Sequence, residues 1–140
     1  MTRSVRALKG GALIDGTGAR PLRDSVVMIQ DSKIAEVGEA GQVRIPAEAE
    51  VIDVKGRVVM PGLIDCHTHI GLVTTSSPST GWGVLEYSSA DTTIRAVAAA
   101  KSLIEAGVTT IRNCGDCTGS AEHVDISVRD AIKQGVIIGP

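Results

Sequence analysis

The sequence predicts an α/β chain, β-rich at first and then alternating between strand and helix, and three observations carry that prediction. Short runs of β-branched residues crowd the stretch from Val5 to Met60, separated by turn-forming pairs such as Asp15-Gly16 and Lys55-Gly56. Beyond Pro61 the apolar pattern switches between strand-like runs and helical spacing. The apolar palette is Val, Ile, Leu and Ala, with one Trp, one Tyr and no Phe, which suits strands covered by alanine-rich helices.

In the first part the candidate strands are Val5–Leu8, Ala12–Ile14, Ser25–Gln30, Lys33–Val37, Val51–Val54 and Arg57–Met60. Asp15-Gly16-Thr17-Gly18, the hairpin centre Asp31-Ser32 and Lys55-Gly56 supply the turns between them. Gly16 and Gly18 belong to a turn and not to a phosphate loop, because no helix follows them. Residues 38–50, rich in Gly, Ala and Glu around Pro46, read as a surface loop. The expected first domain is therefore a β module over 1–60, with strands too short and too few to look self-sufficient.

The second domain, 61–140, opens with a strand ending in histidines and a long connection from Gly71 to Gly83 containing Pro78. Ser88-Ser89-Ala90-Asp91 carries a capping-box signal for a helix running to Ala106. Ile94, Val97, Ala100, Leu103 and Ile104 give that helix its apolar spacing, and Gly107 its C′ residue. The run Ala98-Ala99-Ala100 reads as helix packing against a sheet. Val108–Ile111 is a strand, followed by a polar loop from Asn113 to His123 and a short helix over Ile126–Gln134, capped by Asp125 and stopped by Gly135. Val136-Ile137-Ile138 opens a third strand. Strand, helix, strand, helix, strand describes successive βα units of a parallel sheet. A TIM-type (β/α)8 barrel needs eight such units in about 250 residues; here two and the start of a third are present, so an incomplete barrel is expected. A sheet cut at this point would expose an unpaired edge carrying Val136-Ile137-Ile138. The expectation is that the chain forms the N-terminal part of something longer.

With 140 residues the chain is long enough to bury a real core. A formal charge of −2 with scattered lysines and arginines gives no basic stripe, so no nucleic-acid partner is expected. No apolar h-region follows Met1-Thr2-Arg3-Ser4-Val5-Arg6 and no apolar run is long enough to cross a bilayer, so no membrane association is expected. Three cysteines argue against a disulfide framework and fit a reducing compartment. The chain reads as soluble and cytoplasmic.

Asp65-Cys66-His67-Thr68-His69 carries the chemistry. Strand alternation puts Leu63, Asp65, His67 and His69 on one face, and Ile64, Cys66 and Thr68 on the other. Residues two apart on a strand are separated by roughly 6.5 Å, close enough for two imidazoles to lean onto one metal ion at about 2.0–2.1 Å each. Taken alone, such a pair is more often two polar residues at a strand end, satisfied by neighbours or water. Asp65 on the same face and the strand-to-loop position favour the metal reading. Asp65 reads either as a group that orients an imidazole from behind the ligands or as part of a polar layer in the barrel, not as a catalytic acid. Cys114-Gly115-Asp116-Cys117 makes a poor zinc set with His123 and Cys66, and lies in a loop and not at a helix start, so it reads as loop cysteines. His123, beside Glu122 and Asp125, reads as a solvent-exposed residue. Arg112 is placed either near the site or in an ordinary ion pair.

The block Val59-Met60-Pro61-Gly62-Leu63-Ile64-Asp65-Cys66-His67-Thr68-His69, preceded by a β module and followed by βα units, resembles the amidohydrolase superfamily. Ala12-Leu13-Ile14-Asp15-Gly16-Thr17-Gly18, Gly107-Val108-Thr109-Thr110-Ile111-Arg112, Asp130-Ala131-Ile132-Lys133-Gln134-Gly135 and Ile138-Gly139-Pro140 are similar to its imidazolonepropionase-like and metal-dependent Xaa-Pro dipeptidase branch. The resemblance spans essentially the whole chain but only about the first third of such an enzyme. It implies that the β module is part of a composite β-sandwich and that the site lies at the C-terminal mouth of a β/α barrel. It further implies a hydrolase of carbon–nitrogen bonds in small amides, cyclic amides or dipeptide-like substrates. One or two divalent ions, zinc first among them, would be bound by His67 and His69 and by ligands from later strands. The family's catalytic aspartate also belongs to a later strand, so no catalytic residue and no organic-cofactor site is expected here. The complete enzyme is a possible homo-oligomer. The alternative reading is a non-enzymatic short protein that self-assembles or binds a partner through its open sheet edge.

Overall fold

The computed structural model describes residues 4–72, 87–115 and 123–140. The chain is mixed α/β with a β-rich N-terminal module, and divides into two compact units, Met1–Pro61 and Gly62–Pro140. Among the described residues no helix is long and apolar enough to cross a membrane.

The first unit is a five-stranded sheet of β1 (Val5–Leu13), β2 (Leu22–Gln30), β3 (Lys33–Glu39), β4 (Glu50–Asp53) and β5 (Val58–Val59). Its order is β3-β2-β1-β4, with β5 also on β1. β1 and β2 are antiparallel, as are β2 and β3, whereas β4 and β5 run parallel to β1. The expected strands Val5–Leu8 and Ala12–Ile14 are one continuous strand. Gly10, at φ +94°, and Gly11 form an irregularity where the pairing with β2 shifts register. A Cβ on Gly11 would lie 3.0 Å from the carbonyl oxygens of both Val54 and Arg57, so glycine lets the chain between β4 and β5 come close.

Ser25, only 1% exposed, donates its hydroxyl to the Gly11 carbonyl at 2.9 Å and so ties the irregularity to β2. Ser25→Ala removes that donor without changing the backbone. It is expected to lower the stability of the chain by about 1–2 kcal/mol, read as a shift of the urea midpoint at unchanged slope.

Asp31, at φ +56°, opens the two-residue turn between Gln30 and Lys33, as the sequence predicts. The core of this unit is Ala7, Val26, Met28 and Val43, with Val5, Ala40 and Ile45 against it. The reading of residues 38–50 as a surface loop is therefore corrected: β3 runs on to Glu39, and Val43 is buried. The reason lies at Gly38, where a Cβ would stand 2.8 Å from Val43 Cγ2; the missing side chain makes room for the valine.

Asp15 accepts hydrogen bonds from the Thr17 amide at 2.9 Å and the Thr17 hydroxyl at 2.7 Å. The Thr17 amide first, and its hydroxyl second, hold the Asp15 carboxyl below its ordinary value. Thr17→Ala keeps the amide and loses the hydroxyl, so the Asp15 pKa is expected to rise part of the way back in a carboxyl-carbon NMR titration. A depressed folded-state pKa gives stability that is present above the unfolded value and lost as pH falls through the folded one. The variant should therefore retain less of its acid stability.

The second unit pairs β6 (Leu63–Thr68) in parallel with β7 (Val108–Asn113), with α1 (Ser89–Glu105) and α2 (Val124–Lys133) alongside. The Ser88 hydroxyl accepts from the Asp91 amide at 3.2 Å and donates to the Asp91 carboxylate at 2.5 Å, as the capping signal predicts. Gly107, at φ +88°, follows the C-cap residue Ala106. Ile70, Ala96, Ala100, Val124 and Val128 form the core, supported by Val97, Leu103, Ile111, Ile132 and Ile137. Ile94 is not part of that face: it is 70% exposed, and the buried stripe of α1 is Thr92, Ala96 and Ala100. Spacing of four sets this stripe, and small side chains let the helices approach.

Two expectations for the last third are corrected. α2 begins earlier than Ile126, with His123 rather than Asp125 at the N-cap and no side-chain cap bond. Val136-Ile137-Ile138 forms no strand. Gly135, at φ +72°, ends α2 in a Schellman arrangement. The amide of Val136 bonds the Ala131 carbonyl at 2.9 Å and that of Gly135 the Ile132 carbonyl at 3.0 Å. The Val136 amide is thus committed to the helix end instead of a ladder.

Candidate metal centre

β6 begins at a close approach. Leu63 N–H bonds the Gly107 carbonyl at 2.9 Å, and a Cβ on Gly62 would fall 2.0 Å from Thr109 Oγ1. The β6–β7 register shifts between Asp65, opposite Ile111, and Thr68, opposite Asn113. That irregularity falls at Cys66-His67, between the paired residues Asp65 and Thr68. The His67 amide donates to Asp65 Oδ1 at 3.0 Å, so the carboxylate supports the main chain where the ladder is uneven. Sequence reading assigns Asp65 to an imidazole or to a polar layer; the described bond runs to the His67 backbone.

His69 stands one residue beyond the end of β6. Three hydrogen bonds fasten its surroundings to the end of β7. Cys114 N–H donates to the Thr68 carbonyl at 2.7 Å, Ile70 N–H to Asn113 Oδ1 at 3.0 Å, and His69 Nδ1 meets the Gly115 carbonyl at 2.8 Å. A carbonyl only accepts, so His69 Nδ1 carries the proton and, in the neutral ring, Nε2 carries the lone pair. The two Nε2 atoms of His67 and His69 lie 3.2 Å apart, with ring centroids at 5.2 Å and planes inclined by 63°.

That separation can be tested against a metal. Two nitrogens at about 2.05 Å from one ion, opening an angle near the tetrahedral value, lie about 3.2–3.4 Å apart. The donor set fits, with both ligands imidazole nitrogens, one from β6 and one from the residue that follows it. Among the described residues no third His, Cys, Asp or Glu joins them.

The other candidates stand apart from the pair. Cys66 and Cys114 are exposed free thiols, and Cys117 lies outside the described residues, as does most of the expected Gly71–Gly83 connection. Arg112 donates from Nε to the Cys66 carbonyl at 2.7 Å, buttressing β6 from β7. His123 is exposed at the start of α2. Sequence reasoning missed Asn113, whose carboxamide accepts from Ile70 and donates from Nδ2 to Asp125 Oδ2 at 3.2 Å. An asparagine at a strand end looks like any loop residue. Only the strand pairing reveals that it reaches the histidine segment.

These features define a class first: a mixed α/β chain with a β-rich N-terminal module and two converging imidazoles at the end of a strand that pairs in parallel. The chain belongs to the Amidohydrolase family, whose profile matches residues 58–140. It is 43% identical over 54 residues to imidazolonepropionase of Rhizobium rhizogenes, covering 38% of this chain and 13% of that protein. It is also 42% identical over 68 residues to dihydroorotase of Anaeromyxobacter dehalogenans (strain 2CP-C), covering 47% and 14%. Among solved structures it is similar to molinate hydrolase, with TM-score 0.79 and 28% identity over 97% of this chain and 28% of that one. It is likewise similar to a Xaa-Pro dipeptidase with methionine bound in its active site, with TM-score 0.77 and 27% identity over 98% and 32%. The chain thus spans about a third of the length of the solved proteins it matches.

Proposed function

We propose that the chain supplies the first two metal ligands of a metal-dependent hydrolase acting on carbon–nitrogen bonds in small amide, cyclic amide or dipeptide-like substrates. The observation that carries this reading is the 3.2 Å approach of the Nε2 atoms of His67 and His69, at a spacing one ion can bridge. In this reading residues 61–140 are the opening of a TIM-type barrel, and residues 1–60 belong to a composite β-sandwich. The relatives' names and the family profile support it.

A divalent ion, zinc first and one or two in number, would lower the pKa of a bound water and polarise the scissile carbonyl. The chain's own part is positional. His67 and His69 hold the ion, Asp65 steadies the His67 main chain, and the Gly115 carbonyl keeps the Nδ1 proton of His69 on the side away from its partner. Two ligands are one fewer than the three that catalytic zinc sites use. The 140-residue chain alone is therefore expected to bind Zn2+ without hydrolysing amides. Metal content after equilibrium dialysis, with a parallel assay of amide, cyclic amide and Xaa-Pro dipeptide cleavage, checks both points. Amide hydrolysis that disappears in His67→Ala would overturn the assignment of chemistry to later ligands. A chain that takes up no Zn2+ would overturn the metal reading.

A further inference from the structure

We propose that Asn113 is a positioning residue that sets the tautomer and direction of His69. The inference rests on the reading of the His67–His69 pair as a metal site. Asn113 is the last residue of β7, and its Oδ1 accepts the Ile70 amide at 3.0 Å, one residue beyond His69. Ile70 is itself buried in the core with Ala96, Ala100, Val124 and Val128, so backbone and side chain pin the same point. The two residues after Asn113 complete the clasp. The Cys114 amide bonds the Thr68 carbonyl, and the Gly115 carbonyl receives the His69 Nδ1 proton. Thr68, His69 and Ile70 are thus each met by one of three consecutive residues.

The carboxamide must be oriented for this to work, because only its oxygen can accept from Ile70. Asp125 fixes that orientation. Its Oδ2 accepts from Asn113 Nδ2 at 3.2 Å, and its Oδ1 accepts from the Ile126 amide at 2.8 Å. The arrangement therefore runs from the first turn of α2 through Asn113 to the histidine. Groups that hold a metal-ligating imidazole in one tautomer typically change metal affinity by about 10–100-fold when removed.

The test uses the 15N-labelled 140-residue chain. Long-range proton–nitrogen correlations of the imidazoles, recorded without metal, should show His69 as the Nδ1–H tautomer. Asn113→Ala should give a mixture of tautomers and bind Zn2+ about tenfold more weakly. The reciprocal double variant Asn113→Asp with Asp125→Asn exchanges donor and acceptor while keeping an oxygen for the Ile70 amide. It should restore both the tautomer and the affinity. A wild-type His69 protonated on Nε2, an Asn113→Ala spectrum identical to wild type, or a swap variant that folds but loses the tautomer would each overturn the proposal. Should Asn113→Ala fail to fold, the wild-type and swap spectra decide it. Failure of the metal reading looks different: the Nδ1–H tautomer is held, but no Zn2+ binds.

Discussion

Changing His67 to alanine is expected to abolish measurable Zn2+ binding while leaving the fold intact. The two Nε2 atoms lie 3.2 Å apart, and removing His67 leaves His69 as the one imidazole of the pair. The loss should exceed the roughly 10–100-fold that removing an orienting group causes, because here a ligand itself disappears. His67 is exposed and its described backbone bond uses the amide, which alanine keeps, so the thermal midpoint should stay near that of the unchanged protein. His69→Ala should weaken Zn2+ binding equally but also lower the midpoint, since its ring holds the Gly115 carbonyl. Calorimetric titration with Zn2+ and a thermal melt on each variant separate these effects. Undiminished affinity in His67→Ala would remove the pair from consideration as a metal site.

The second large effect is expected at Gly62. A methyl group there would meet Thr109 at 2.0 Å from Oγ1, 2.2 Å from Cγ2 and 2.6 Å from Cβ. Turning the threonine about χ1 moves the first two atoms but not the third, so the strands themselves must part. Their separation would strain the Leu63 to Gly107 bond at the start of the ladder. Gly62→Ala should cost about 3 kcal/mol, high in the range for overpacking. Thr109→Gly in the same chain should recover part of it, a coupling that a double-mutant cycle in urea measures. Additive effects of the two substitutions would show that the close approach does not set the strand spacing.

The pattern of legibility follows from the range of the interactions. Ser88 with Asp91, Gly107, Gly135 and the Asp31 turn are signals carried within a few residues, and the sequence shows them directly. The spacing of His67 and His69 is of the same kind. Val43 in the core, the Asn113 bond beside His69 and the continuous β1 depend on partners far along the chain, at Ala7 and Val26, at Ile70 and at the Val54–Arg57 turn. Single-strand alternation also cannot show the register shift at Cys66-His67, because a shift exists only relative to a neighbouring strand. The missing third strand has a local cause that was open to reading. A glycine at the end of α2 claims the next amide, and that amide belongs to Val136.

The doubled glycine in β1 makes the chain sensitive to counting. β1 pairs with β4 through Lys9 and with β5 from Ala12, while the turn between Val54 and Arg57 nests against Gly10 and Gly11. Val58 is 58% exposed, whereas Val59 lines an apolar groove with Leu13 and Val27. One residue gained or lost at Lys55-Gly56 would exchange odd for even and turn Val58 inward and Val59 outward. Gly56, at φ +76°, favours glycine, but elsewhere in the loop between β4 and β5 a change of residue type should disturb the sheet less than a change of length. Two inserted residues would disturb it less than one.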